Sequence, residues 1–399
     1  MDFPEIGRLI NPSGVIPASH LAVCVVSSIL VLAIPALRKP AALLLLSGIA
    51  AVAIYRRSLF GYLLTGLTIF LFMLVLDSAP NGRNGKSSFR WRCTCVAMLA
   101  LIIAFLLGRS WQLDSHEFTV GGIKWVLFGL DMWLLLRLIT LLWEFGSGRI
   151  QRPNLFSYAL WIGFPFISFG PVIRYSQFEP QLSSRERMEV IRKTFSTDWL
   201  GKFVIAILQI TAGVILTNLH QGMYVSNGLG RPLWLKLLDG FGISPWGFLF
   251  VWAGYYKLME CLALLWGVTL PPSFNRPFGR SNISEFWANW NMTATSVFRD
   301  YLFYNRWGGQ SINVYLNTLI IFTLVGMWHS FNLYWVLWGL LHGIGFCIFI
   351  WYSQSRQRPS HDNTHGTWGS RLLGGDATYI FVCSCWLLPS PFLKIIGRI

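Results

Sequence analysis

Apolar runs dominate this chain: about eleven follow one another, separated by short segments that hold most of the charge. A helix that crosses the hydrocarbon core of a bilayer needs about 20 largely apolar residues. The first run, Ala18 to Leu37, reaches that length and stops at Arg38-Lys39. The others are Ala41 to Ala53, Leu59 to Leu76, Cys95 to Leu107, Trp125 to Trp143, Phe156 to Phe169, Phe203 to Leu216, Trp246 to Val268, Val314 to Trp328, Tyr334 to Trp351 and Thr378 to Leu393. Backbone polar groups cannot stay unpaired in lipid, so these runs are expected to be helices, with the shorter ones tilted or re-entrant. Only 12% of residues are charged, against roughly 25% in soluble domains, which argues against a water-soluble enzyme. The expected architecture is an all-α polytopic membrane protein of about 10–11 transmembrane or re-entrant helices, forming one domain over residues 1–399.

The 32 Lys and Arg outnumber the 17 Asp and Glu, a formal charge of +15. Spread over short inter-run segments, this surplus reads as cytoplasmic loop charge and not as a nucleic-acid surface. Arg38 and Lys39, then Arg83, Lys86, Arg90 and Arg92, then Arg149 and Arg152, then Arg185, Arg187, Arg192 and Lys193 are assigned to the cytoplasm, as is the tail with Arg356, Arg358 and Arg371. Ser110 to Thr119, with Asp114, His116 and Glu117, and Asn218 to Gly230, free of Lys and Arg up to Arg231, are expected as outward loops. Arg56 and Arg57 break the alternation. The C-x-C pairs Cys93/Cys95 and Cys383/Cys385 lack ligands at zinc spacing, so the cysteines read as small membrane hydrophobes with no metal expected. The first 17 residues, with Asp2, Pro4 and Glu5, do not read as a cleavable leader.

Three stretches are too polar for their surroundings, and intramembrane polar groups are functional candidates by default. Phe164 to Phe178, FPFISFGPVIRYSQF, carries the helix-breaking Gly170-Pro171 and then Arg174, the pattern of a re-entrant or kinked element, or of a plain loop between two spans. Pro271 to Gly309 is rich in aromatic and polar residues. There Ser281 or Asn282 can cap a helix with Glu285, and Trp287, Asn291, Thr295 and Phe298 fall near helical spacing, before Arg299-Asp300, which can close an ion pair. Val314 to Cys347 contains GMWHS and then His342-Gly343. His329, at the end of an apolar run, is the best general-base candidate in the chain, because imidazole takes and gives a proton near neutral pH. His342, 13 residues later, need not share its site. Either histidine also suits simple hydrogen-bonded packing between helices.

Taken in order, FPFISFGPVIRYSQF, FNRPF with ISEFW..W......FRDYLF and GG, GMWHS, and WGLLHG resemble the membrane-bound O-acyltransferase family. The likeness is strongest to its bacterial branch that acylates alginate, other exopolysaccharides and teichoic acids, and it covers residues 164–351, the expected catalytic core. The resemblance implies a helical ring around a central tunnel and transfer of an acyl group, acetyl or another short chain, from a thioester to a hydroxyl of a cell-surface glycan. The family's histidine falls on His329 as base and its second functional position on Asn291, as donor to the acceptor or the developing oxyanion. Trp287, Trp290 and Trp328 would wall the site, and Arg174, Arg276 and Arg299, with Asp300 and His342, would contact substrate or donor. The donor implied is acyl-CoA such as acetyl-CoA, or a carrier-protein thioester, with no bound cofactor. The partners implied are the bilayer, a glycan or lipid acceptor and an accessory acyl-transfer protein, in a bacterial cytoplasmic membrane. Two departures are visible: Asn291 stands where this branch usually has histidine, as in lipid and peptide acylators, and Gly254 to Glu260, GYYKLME, replaces an aspartate-bearing segment. A lipid, small-metabolite or secreted-peptide acceptor, and a non-enzymatic transporter, are the competing readings.

Overall fold

The structure, a computed structural model, describes residues 18–55, 58–78, 86–110, 117–120, 123–126, 130–227, 232–303, 313–356 and 368–389. Expectations placed on residues 1–17, Arg56, Arg57, Arg83, Asp114, His116, Arg231, Gly308, Gly309, Arg358 and residues 390–393 lie outside them. The chain forms two compact units, Ile16–Phe203 with Leu258–Pro271, and Val204–Lys257 with Met1–Val15 and Pro272–Ile399.

In the first unit, α1 (Ala18–Ala33), α2 (Pro40–Tyr55), α3 (Leu59–Asp77) and α4 (Lys86–Ser110) follow the first four apolar runs. The fifth run begins differently from expectation. Trp125 lies in a strand, Ile123–Val126, paired antiparallel with Glu117–Val120, and α5 (Met132–Gly146) starts only after Asp131. Gly121-Gly122 between the strands is the two-residue hairpin signal. The Asp131 carboxylate then accepts from the Trp133 and Leu134 amides, both at 2.7 Å, which fixes where α5 begins.

The sixth run is helical only over α6 (Leu155–Gly163). A short 3-10 turn at Pro165–Ile167 and a cis Gly170-Pro171 bond follow, before α7 (Tyr175–Phe178). Phe164, Phe166, Ile167, Val172 and Ile173 are all buried. The His20 ring donates to the Pro165 carbonyl at 3.0 Å and the Trp161 indole to the Ile173 carbonyl at 3.1 Å. Irregular backbone is tolerated at such depth because protein encloses it and side chains supply the missing partners. The stretch is therefore a buried kinked element, not a plain loop.

Several cations are not free in loops. Arg185, Arg187, Arg192 and Lys193 all lie on α8 (Ser184–Lys193). Arg187 is buried, donating to the carbonyls of Trp266 at 3.2 Å and Arg38 at 2.8 Å, so it ties three segments of the first unit together. The expected outward loop at Asn218 is corrected as well: α9 (Thr197–Asn227) runs unbroken for 31 residues. Nothing in Leu219-His220-Gln221 opposes helix, and the absence of Lys and Arg alone does not end one.

Next come α10 (Leu233–Leu238), a π-helical turn at Asp239–Ile243, and α11 (Ser244–Leu265). His220 on α9 meets Asp239 at 2.7 Å, and the Ser244 hydroxyl donates to the same carboxylate at 2.8 Å. A buried acidic group is thus held by partners from two helices, as burial requires. A Cβ on Gly254 would overlap the Ala206 carbonyl of α9, so GYYKLME is a helix-packing segment with Tyr255 and Tyr256 buried beside it.

The chain closes with α12 (Ile283–Asn289), α13 (Met292–Val297), a π-helical turn at Phe298–Phe303, α14 (Val314–His329), α15 (Leu333–Arg356) and α16 (Trp368–Leu387). Arg371 lies inside α16, not in a tail loop. Five described helices are long and apolar enough to cross a membrane: Leu59–Asp77, Phe89–Gly108, Thr197–Gly222, Leu233–Leu265 and Leu333–Ser355. Others are shorter. At 1.5 Å per residue, the 16 residues of α14 span about 24 Å, less than the roughly 30 Å hydrocarbon core. The architecture is that of an all-α multi-pass membrane protein carrying one small hairpin among the described residues.

Glycines let α14 and α15 touch backbone to backbone. A Cβ on Gly326 would overlap the Trp335 carbonyl oxygen, and one on Gly339 the Phe322 carbonyl oxygen. Close approach through small residues is the usual device for packing helices in lipid, where apolar burial does not drive association. Gly326→Ala is accordingly expected to destabilise by about 1–3 kcal/mol. Gly48→Ala on α2, where a new Cβ meets nothing within 4 Å, should be neutral or stabilise by about 0.5–1 kcal/mol. Thermal unfolding of both variants in detergent checks the pair, and equal shifts would show that the α14–α15 contact yields more easily than its geometry implies.

Candidate functional site

The second polar stretch folds into a corner, not one continuous helix. The Asn282 side chain caps α12 by accepting from the Glu285 amide at 2.9 Å, and Glu285 answers the Ser281 hydroxyl at 3.0 Å. The helix stops after Asn289 because Trp290 is extended and Asn291 adopts φ 41°, ψ 52°, the left-handed region. Asparagine tolerates that conformation better than other residues with a Cβ. Segment 273–275 pins the corner: the Asn275 amide donates to the Asn289 carbonyl at 3.1 Å and the Met292 amide to the Ser273 carbonyl at 2.7 Å. Asn291 stands just before α13 yet does not cap it, and its side-chain oxygen is buried without a hydrogen-bond partner.

The third stretch brings the two histidines to one aromatic wall. His329 ends α14, and after a turn of Ser330, Phe331 and Asn332 the chain re-enters helix at Leu333. Asn332 caps α15 by accepting from the Trp335 amide at 3.1 Å, and the Ser330 amide donates back to the Gly326 carbonyl at 3.2 Å. The corner lays the His329 imidazole on the Trp335 indole, with centroids 4.7 Å apart and planes 20° apart. Trp338 stands edge-on to the same imidazole at 5.6 Å, and Trp338 also meets His342 at 4.3 Å. One indole therefore contacts both histidines.

Their environments differ. His329 is half-buried, while His342 is fully enclosed. A carbonyl only accepts, so His342 Nδ1, 2.9 Å from the Trp338 carbonyl, carries the proton, and in the neutral ring Nε2 is left as an acceptor. Nε2 has no partner, and the same is true of the indole nitrogens of Trp287, Trp335 and Trp338. Each such buried group costs about 1–3 kcal/mol. With Asn291, five of them lie on the α12–α13 corner and on α15, the segments that frame the histidines. Aromatic walls around a half-buried imidazole can shield a proton transfer from bulk water.

The other expected residues distribute as follows. Trp287 joins the wall, 5.3 Å from His342 and 6.0 Å from Trp338. Trp290 belongs to a neighbouring aromatic stack with Phe286 and Phe248. Trp328 is buried against Phe298 at 5.7 Å. Arg299 and Asp300 do close an ion pair at 2.8 Å, with side chains 48% and 29% exposed. Arg276 has φ 46°, its carbonyl accepting from Arg280 at 3.0 Å. Arg174 belongs to the other unit, at the start of α7. Sequence reading missed Trp335, Trp338 and Trp386. The i, i+3 and i+7 spacing of Trp335, Trp338 and His342 along one helix face was the available signal for the first two. Trp386, 5.5 Å from Trp335, arrives from α16 and leaves no local signal.

The sequence profile of the membrane-bound O-acyltransferase family matches residues 62–382. Relatives include a peptidoglycan O-acetyltransferase of Helicobacter pylori, 26% identical over 51% of this chain and 39% of its own length. A probable alginate O-acetylase of Pseudomonas aeruginosa is 23% identical over 72% of this chain and 56% of its own. A teichoic acid D-alanyltransferase of Bacillus subtilis is 24% identical over 79% and 81%. The alignments thus take in only about two fifths to three fifths of the first two relatives. With a family profile matched from Tyr62 to Val382, across both compact units, the chain belongs to the membrane-bound O-acyltransferase family.

Proposed function

We propose that the protein is an O-acyltransferase that moves acetyl or another short acyl group from a thioester to a hydroxyl of a cell-surface polysaccharide, with residues 164–351 as its catalytic core. The observation that carries this reading is the half-buried His329 imidazole, held on an aromatic wall beside polar groups without partners. His329 takes the proton of the acceptor hydroxyl, whose oxygen forms a bond to the thioester carbonyl carbon; the C–S bond then breaks, and the proton passes to the departing thiolate. Asn291 cannot serve as a base, and its amide donates to the developing oxyanion. Trp287, Trp290 and Trp328 exclude the water that would hydrolyse the thioester. The basic cytoplasmic loops suit an anionic donor such as acetyl-CoA or a carrier-protein thioester, and Arg174, Arg276 and Arg299 are its candidate contacts. The setting is the bacterial cytoplasmic membrane, with an accessory protein carrying the acyl group onward.

Mass spectrometry of surface glycans and extracted lipids from cells expressing wild type or His329→Ala at matched levels tests the reading. An ester-linked acyl group lost from the glycan fraction of the mutant alone is the expected result. Loss from the lipid fraction instead would replace the acceptor class, in line with Asn291 standing where this branch usually has histidine. Identical ester content in both strains would remove the acyltransferase assignment of this site.

A further inference from the structure

General bases in acyl-transfer enzymes are commonly oriented by a third group, often a carboxylate that also stabilises the imidazolium formed during reaction. Among the described residues, His329 makes ring contacts with Trp328, Trp335 and Trp338 and no hydrogen bond to a carboxylate. We propose that the face of Trp335 fills that role, as a positioning residue that holds the His329 imidazole and stabilises it when it becomes a cation. The inference rests on the reading of His329 as base.

The geometry is built to keep the two rings together. Trp335 is 3% exposed and is boxed by Tyr334, Trp338 and Trp386, each with ring centroids 5.5 Å away. Its backbone is fixed by the Asn332 cap and by Gly326, one turn before His329, where the two helices are too close to admit a Cβ. The 4.7 Å separation and 20° interplanar angle set the imidazole against the negative face of the indole, within the range over which a cation is attracted to it. Indole is the strongest of the natural aromatic faces for this purpose, and enclosure between helices keeps competing water away. This field acts on the imidazolium of the transition state far more than on the neutral ring of the resting enzyme, so it lowers the barrier and not merely the ground state.

The test uses the full-length protein in membranes with acetyl-CoA as donor and purified cell-wall polysaccharide as acceptor. Trp335→Leu is expected to lower kcat about 30-fold with KM unchanged, the rate equivalent of about 2 kcal/mol, and Trp335→Phe to recover part of it. Packing alone could produce the leucine result. A second series therefore places mono-, di- and trifluorotryptophan at position 335, which drains the ring face with little change of shape. Log kcat should fall with each fluorine, by about tenfold across the series. A flat fluorine series, with the leucine variant impaired, would make Trp335 a packing residue only. If His329→Ala keeps its activity, the reading of the base itself fails, which is a different outcome from a flat series on an essential histidine.

Discussion

Replacing His329 with alanine or glutamine is expected to lower the rate of acyl transfer by about 10²–10⁴-fold, the usual contribution of a positioned general base. The loss should fall on kcat and on kcat/KM alike, because proton removal helps only the transition state and leaves substrate binding unchanged. Glutamine is the sharper test of the two. It fills much of the space against Trp335 and can still hydrogen-bond, but it cannot accept the proton at neutral pH. His329 is the last residue of α14 and half-buried, so neither substitution opens a cavity in a closed core, and thermal unfolding should stay near that of wild type. The check is the initial rate of transfer from radiolabelled acetyl-CoA in membranes carrying equal amounts of each variant. A glutamine variant that kept more than about a tenth of the wild-type rate would take the proton-transfer role away from His329.

Most of the spans could be read from the sequence, and His329 singled out as a candidate base, because each is a local signal. An apolar run stopped by Arg38-Lys39, or a histidine at the end of one, needs no knowledge of distant contacts. What could not be read depends on contacts far along the chain. Trp287, Asn291, Thr295 and Phe298 fit one helical face, and nothing between them forbids a continuous helix. The break at Asn291 comes from Ser273 and Asn275, which take the Met292 amide and the Asn289 carbonyl as partners. His329 and His342, 13 residues apart, converge because a tight corner folds one helix back and the glycines at 326 and 339 let the backbones touch. The strand pair Glu117–Val120 and Ile123–Val126 escapes the span pattern for a different reason: the expected fifth span begins at Trp125, so the last two residues of the second strand read as the start of a helix. Charge misled in the same way. Arg187 looked like loop charge, but its guanidinium is buried and bridges two backbone carbonyls, a role its neighbours in sequence do not reveal.

Asn291 holds a bend in the chain and is proposed to support the developing oxyanion, and substitutions can pull the two roles apart. Its backbone sits at φ 41°, which most side chains resist at a cost of about 1–2 kcal/mol, and its amide oxygen is buried without a partner. Asn291→Gly keeps the conformation easily and removes the amide. Asn291→Ala removes the amide and adds the strain. If the amide supports the developing oxyanion, both variants should transfer acyl groups about 10²–10³-fold more slowly than wild type. Only the alanine variant should also melt earlier, by the strain and the loosening of the corner pinned by segment 273–275. Rates with radiolabelled acetyl-CoA and thermal unfolding, measured on the same preparations, separate the two effects. A glycine variant as fast as wild type, beside a slow and unstable alanine variant, would mean that asparagine is required at position 291 for the bend it permits. The side-chain amide would then take no part in the chemistry, and its partnerless oxygen would be a consequence of that bend.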